Sequence, residues 1–254
     1  MGDEMKRVLI SGAAGAMGKA VYAALENADG IIATAGIDLV GSLMDIPVFR
    51  SFSECDIDID IVIDFSSPAA LNDIAKFCKN HKKPVVLCTT GYNKEQEIIA
   101  NELSRSVPVF RSANMSLGVN LIANLAKTAS RILGKGFDIE IIEKHHRKKV
   151  DSPSGTAMML ANEINAANSD KYRYVYERES IRKSRDGDEI GIHSVRGGTI
   201  VGEHEIIFAG TDEVITISHN AMSKNVFATG AVSAAIFLLA QPAGFYDMND
   251  LFKS

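Results

Sequence analysis

The chain has 254 residues, 46% of them hydrophobic and 23% charged, enough to bury a full core and to form two lobes. A net charge of -5 argues against nucleic-acid binding, and no apolar run approaches the roughly 20 residues that span a bilayer. Cys55, Cys78 and Cys88 have neither metal nor redox spacing, so no disulfide framework and no metal site is expected. Met1–Arg7 lacks the layout of a secretory signal, and the expectation is a cytoplasmic globular protein.

Lys6–Ser11 reads as a buried parallel strand, followed by a helix from Ala16 to Asn27 and a second strand from Ile31 to Asp38. Strands are expected at Ile59–Phe65, Pro84–Thr89 and Val107–Arg111, with helices running to about Lys79 and over Lys94–Leu103. Strands alternating with helices of 10 to 15 residues indicate a parallel sheet with right-handed crossovers, a Rossmann-like half. The pattern changes near Ser116. A long helix, Gly118–Leu133, leads to a strand over Phe137–Lys144, then to a helix opening at Ser154. Strand-like stretches at 191–196, 199–210 and 213–221, broken by glycine turns, predict a mixed or antiparallel sheet. Lys183–Glu189 reads as a mobile polar loop, and Asn225–Leu239 as a small-residue apolar helix packing on the first lobe. The fold class is therefore α/β: a dinucleotide-binding domain from residues 1–115 with 225–254, and an α+β domain from 116–224.

Gly12, Gly15 and Gly18 are spaced G-x-x-G-x-x-G after the first strand and at the opening of the first helix. Glycines permit a tight turn and close backbone approach, and the helix N-terminus favours a pyrophosphate. Such a turn also serves plain packing, but Asp38, about 20 residues past Gly18, stands where an acid binds the adenosine ribose. Leu39, Val40 and Gly41 supply no cation for a 2′-phosphate, so NADH should bind better than NADPH.

The most informative segment runs from Glu143 to Ala157. Two adjacent histidines, His145 and His146, share seven residues with Lys144, Arg147, Lys148 and Lys149. Pro153 bends the chain, Ser154 is a good N-cap, and the amides of Ser154, Gly155 and Thr156 are expected to point out of the helix end toward an anion. Cations, a helix terminus and imidazoles that titrate near neutrality suit a small carboxylated substrate and proton-coupled chemistry.

Glu143–Ala157 carries an E-x-H-H-x-x-K-x-D-x-P-S-G-T-A pattern. With Gly12–Gly18, Asp64–Ala70, Cys88–Tyr92, Ser112–Asn120, His193–Gly210 and Phe227–Ala231, it resembles the 4-hydroxy-tetrahydrodipicolinate reductase family, also called dihydrodipicolinate reductases, nearly end to end. The resemblance implies reduction of a cyclic dicarboxylic imine by a nicotinamide nucleotide in the diaminopimelate–lysine pathway, commonly by a homotetramer. Ala16 replaces an arginine usual in the family, Cys88 a glycine, and Lys224 an arginine on the substrate side, where lysine keeps the charge but loses the bidentate fork. His145 is the expected general acid and Lys149 the cation for a substrate carboxylate and proton delivery. His146, Ser154, Gly155, Thr156 and Lys224 complete the substrate set. Gly12, Gly15, Ala16, Met17, Gly18 and Asp38 are expected at the cofactor, with Thr89, Thr90, Gly91, Ala113, Asn114 and Met115 near the nicotinamide. A related imine or amino-acid dehydrogenase and a catalytically silent nucleotide sensor remain the competing readings.

Overall fold

The computed structural model describes residues 5–41, 45–180 and 182–253. Two compact units emerge, Met1–Leu117 with Lys224–Ser254, and Gly118–Ser223.

The first unit is built on seven strands: β1 (Lys6–Ser11), β2 (Ile31–Ile37), β3 (Val48–Phe49), β4 (Ile61–Asp64), β5 (Val85–Leu87), β6 (Pro108–Arg111) and β12 (Gly244–Tyr246). They pair in parallel in the order β12-β6-β5-β4-β1-β2-β3. Central strands read VLIS, IVID and VVL, and all of these residues are buried, because helices cover both faces of a parallel sheet. On one side lie α1 (Ala16–Leu25) and α6 (Asn225–Leu238), which meet through Val21, Ala228, Ala231 and Leu238. Gly230 is required there, since a Cβ would stand 1.7 Å from the Met115 carbonyl oxygen. On the other side lie α2 (Leu71–His81) and α3 (Lys94–Leu103), the latter started by an Asn93–Gln96 capping box. Strand order reverses between β1 and β4, the place where ligands bind such sheets.

The second unit has a five-stranded sheet of β7 (Asp138–His145), β8 (Arg173–Val175), β9 (Glu189–Arg196), β10 (Gly202–Ala209) and β11 (Val214–Ala221), in the order β11-β10-β7-β9-β8. β10 is antiparallel to β7 and β11, whereas β9 is parallel to β7 and β8, so the sheet is mixed. Helices α4 (Leu117–Leu133) and α5 (Gly155–Ala167) pack on the face bearing Ile139, Ile141, Ile190, Ile206 and Phe208.

Three short strands, β3, β8 and β12, were not foreseen; two or three residues at or near a sheet edge carry no period to read. The strand expected from residue 199 begins at Gly202, after a turn in which Gly198 takes φ +48°. Lys183–Glu189, expected to be mobile, is anchored. The Arg185 guanidinium bonds to Asp138, Glu140 and the carbonyls of Ile139, Asp186 and Glu189, and Glu189 opens β9.

Candidate active site

β7 alternates strictly, and its buried positions are Ile139, Ile141, Glu143 and His145. A carboxylate and an imidazole thus occupy places where isoleucines stand one turn of the pleat earlier. Glu143 is wholly buried. Its Oε1 accepts from Arg196 Nη2 at 2.6 Å and from the Ser154 amide at 3.1 Å. Its Oε2 accepts from Arg196 Nη1 at 2.7 Å and lies 2.6 Å from His145 Nδ1. Burial alone would push this acid's pKa up, but the Arg196 fork, followed by Ser194 and His145, holds it down at about 2. Glu143 is therefore an anion at neutral pH, and it draws the His145 proton to Nδ1, leaving Nε2 as the reactive nitrogen. Gly202 keeps the approach to that nitrogen open, since a Cβ there would sit 3.1 Å from Nε2.

His204 on β10 pairs across the sheet with Glu143 and with His219 on β11. Its ring meets that of His145 edge to face, centroids 5.3 Å apart. Burial first, then the neighbouring His145, lowers its pKa to about 4, so it is neutral at pH 7. Its Nε2 lies 3.0 Å from Ser154 Oγ, which also accepts from the Ala157 amide as the N-cap of α5.

The expected anion site at the start of α5 needs one correction. The Ser154 amide is not free, because Glu143 already takes it; the protein's own carboxylate sits at that helix end. Gly155 and Thr156 follow in the first turn. Lys149 Nζ lies 2.8 Å from Asp151 Oδ1, a partner the sequence reading did not weigh. The Lys149 amide closes a turn onto the His146 carbonyl at 3.0 Å, and His146, Arg147 and Lys148 line a cavity of about 410 Å³ with Gly198 and Thr199. Lys224 is exposed just before α6, in the first unit, whereas the rest of the expected substrate set belongs to the second.

In the first unit Gly12 adopts φ +79°, and a Cβ would stand 2.7 Å from the Phe65 carbonyl oxygen. Gly15 is the N-cap of α1, and a Cβ on Gly18 would strike the Gly12 oxygen at 2.2 Å. Asp38 accepts from the Ala14 amide at 2.9 Å and from Val40 at 3.1 Å, which ties it to the glycine turn. Gly12, Gly15, Asp38, Arg50 and Ser66 line a cavity of about 450 Å³. Arg50 corrects the expectation that no cation stands near Asp38. Strand β3 carries it there, with the Phe49 carbonyl accepting from the Asp38 amide at 3.0 Å. A second cavity, about 200 Å³, is lined by Met17, Cys88, Thr90, Ala113, Asn114 and Met115. Ala16, Gly18, Thr89 and Gly91 line neither: Ala16 is exposed, Gly18 packs inside its helix, Thr89 is buried and Gly91 turns the chain at φ +81°. The glycine cradle, the Asp38 carboxylate and both cavities suit a dinucleotide. Among the described residues no group of three or more His, Cys, Asp or Glu could hold a metal ion, and no helix is long and apolar enough to cross a membrane.

Glu143, Arg196 and His204 escaped the sequence reading as functional residues. A signal existed for two of them: Glu143 and His204 sit at inward positions of strands that also turn Ile139, Ile141, Ile206 and Phe208 inward.

A parallel sheet whose strand order reverses beside β1, with a glycine turn at the carboxyl end of that strand, places the chain in the class of Rossmann-fold oxidoreductases that use a nicotinamide nucleotide. Residues 6–115 match the family model described as dihydrodipicolinate reductase, N-terminus, and residues 118–252 match dihydrodipicolinate reductase, C-terminus. The chain belongs to the dihydrodipicolinate reductase family. It is 47% identical over 251 residues to the 4-hydroxy-tetrahydrodipicolinate reductase of Clostridium novyi (strain NT), covering 98% of this chain and 99% of that one. Identity to the protein of that name from Caldanaerobacter subterraneus subsp. tengcongensis is 48% over 249 residues, covering 98% and 99%. Among solved structures, dipicolinate-bound dihydrodipicolinate reductase from Paenisporosarcina sp. TG-14 superposes with a TM-score of 0.78 at 25% identity, covering 96% of this chain and 99% of that one. A probable dehydrogenase from Thermotoga maritima, 14% identical with a TM-score of 0.63 over 96% of this chain and 92% of its own, shares the fold.

Proposed function

We propose that this protein reduces 4-hydroxy-tetrahydrodipicolinate, a cyclic dicarboxylate, to tetrahydrodipicolinate in the diaminopimelate–lysine pathway, with NADH preferred over NADPH. The observation that carries this reading is the Glu143–His145 pair, four residues before Lys149 and bonded to the start of α5, in a chain of this family. The nicotinamide supplies a hydride when bound. The chain's residues do the rest. Gly12, Gly15 and the opening of α1 receive the pyrophosphate, Asp38 the ribose, and Thr90, Asn114 and Met115 line the nicotinamide cavity. Lys149 exchanges Asp151 for a substrate carboxylate, with Gly155, Thr156, His146 and Lys224 as further contacts. His145 acts in its doubly protonated form: with Nδ1–H held by Glu143, it gives its Nε2 proton to the carbanion equivalent left by hydride addition and is left as the neutral Nδ1–H tautomer.

NADH preference is supported by Asp38, whose charge repels a 2′-phosphate; Arg50 narrows the gap, and Asp73 adds a second acid to the same cavity. Assembly into a homotetramer is supported by the second sheet's outer face, where Val195 and Val214 stay 45% and 63% exposed. Light scattering should report four copies. A monomer would remove that part of the reading.

The decisive assay follows NADH oxidation with enzymatically generated 4-hydroxy-tetrahydrodipicolinate beside a panel of other imines and keto acids. Rapid oxidation only with the former is expected. Faster turnover of another imine would make this a related dehydrogenase, and NADH binding without turnover of any substrate would make it a sensor.

A further inference from the structure

The first unit contains a buried carboxylate that none of the chemistry above uses. We propose that Asp64 is the positioning residue of the nucleotide end, a carboxylate beneath the cofactor that holds Ser66 and Thr89 and thereby sets the walls of both cavities. Asp64 ends β4, where strand order reverses, and is fully buried. Its Oδ1 accepts from the Ser66 amide at 3.1 Å and the Ser66 hydroxyl at 2.5 Å. Its Oδ2 accepts from the Thr89 hydroxyl at 2.7 Å, and Ser11 adds another hydroxyl donor. The loops leaving β1, β4 and β5 therefore converge on one side chain.

Those loops form the cavity walls. Ser11 and Ser66 line the larger cavity with Gly12, and Phe65, Cys88 and Thr90, neighbours of Asp64 and Thr89, line the smaller. The contact is tight: a Cβ on Gly12 would stand 2.8 Å from Ser66 Cα, so a displaced Ser66 would move against the glycine turn. Chemistry also selects the residue type. Both oxygens receive donors, which a carboxylate satisfies as they stand; an asparagine would either set its NH₂ against the Ser66 amide or reverse the Thr89 hydroxyl from donor to acceptor. Among the described residues no Lys or Arg pairs with Asp64, and burial raises its pKa while the Ser66, Thr89 and Ser11 hydroxyls pull it back. A buried carboxylate without a cation is costly, and folding alone would be served as well by an apolar residue.

The inference rests on nicotinamide-nucleotide binding at these cavities. Calorimetric titration of NADH into the full-length protein tests both. Asp64→Asn should weaken NADH binding about ten-fold, the worth of one charge-assisted bond, and raise the KM for NADH far more than the KM for substrate. Thr89→Val should weaken NADH binding several-fold in the wild type and add nothing in the Asp64→Asn background. Thr89→Ser, which keeps the hydroxyl, should restore what Thr89→Val loses. Unchanged NADH affinity in Asp64→Asn, or strictly additive losses, would overturn the inference. If Asp64→Asn does not fold, equal NADH affinities for Thr89→Val and Thr89→Ser overturn it, and a loss confined to Thr89→Val supports it. A wild type that binds neither NADH nor NADPH would overturn the functional reading, and this inference with it.

Discussion

Replacing Glu143 with Gln should uncouple catalysis from folding in a way that pH exposes. The variant keeps the size of the side chain but turns one acceptor into an NH₂, which must face Arg196 together with either the Ser154 amide or His145 Nδ1. Breaking one side of a buried ion pair costs about 3–5 kcal/mol, and here somewhat less, because Arg196 keeps bonds to the carbonyls of Val195 and Asp151. The proton linkage leads to a similar figure. The Glu143 pKa falls from 4.5 to about 2 on folding, worth about 3 kcal/mol at neutral pH. The unfolded chain takes up this proton first as pH falls, so the contribution is complete above about pH 5. By pH 3 about 2 kcal/mol of it is gone. Urea unfolding of both proteins between pH 7 and pH 3 should therefore show a gap of about 3 kcal/mol that narrows on acidification. Turnover at neutral pH should fall by roughly 10²-fold or more, since His145 loses the partner that fixes its tautomer. A stability gap that stays constant with pH would refute the assignment of Glu143 as the buried anion. Wild-type turnover in the variant would refute its role in orienting His145.

His145→Gln should lower turnover by roughly 10²- to 10⁴-fold with NADH affinity nearly unchanged, as measured by stopped flow and titration; wild-type turnover would remove His145 from the mechanism. Lys149→Ala should raise the substrate KM about ten-fold or more, Lys148→Ala should do little, and Asp151→Asn, by releasing Lys149, should lower the KM. No change in the Asp151 variant would show that the ion pair is not exchanged. Lys224→Arg should keep or improve activity and Lys224→Ala should raise the substrate KM; indifference to Ala would place Lys224 outside the site. Asp38→Ser with Leu39→Arg should shift affinity from NADH toward NADPH by roughly 10- to 100-fold, and a preference that does not move would take Asp38 away from the ribose.

The layer pattern and the glycine turn were legible because they rest on period and local backbone needs. VLIS, IVID and VVL can only be buried strands of a parallel sheet, and Gly12 and Gly18 stand where any Cβ would collide. What escaped depends on residues far apart in the chain. Arg196 reaches Glu143 across 53 positions, and Arg50 reaches the cavity of Asp38 only because the two-residue strand β3 pairs with β2. The start of α5 reads as a place for a substrate anion, but local sequence could not tell that Glu143, eleven residues earlier, already accepts from the Ser154 amide.

Asp151 has a consequence for selectivity. Half of the basic segment's cations carry a counterion: Lys144 is paired with Glu203 and Lys149 with Asp151, while among the described residues Arg147 and Lys148 have no ion pair. A ligand with a single carboxylate only trades places with Asp151 and gains little by doing so. On the proposed reading Asp151 therefore acts as a built-in competitor, and monocarboxylate metabolites at far higher concentration would compete poorly for Lys149.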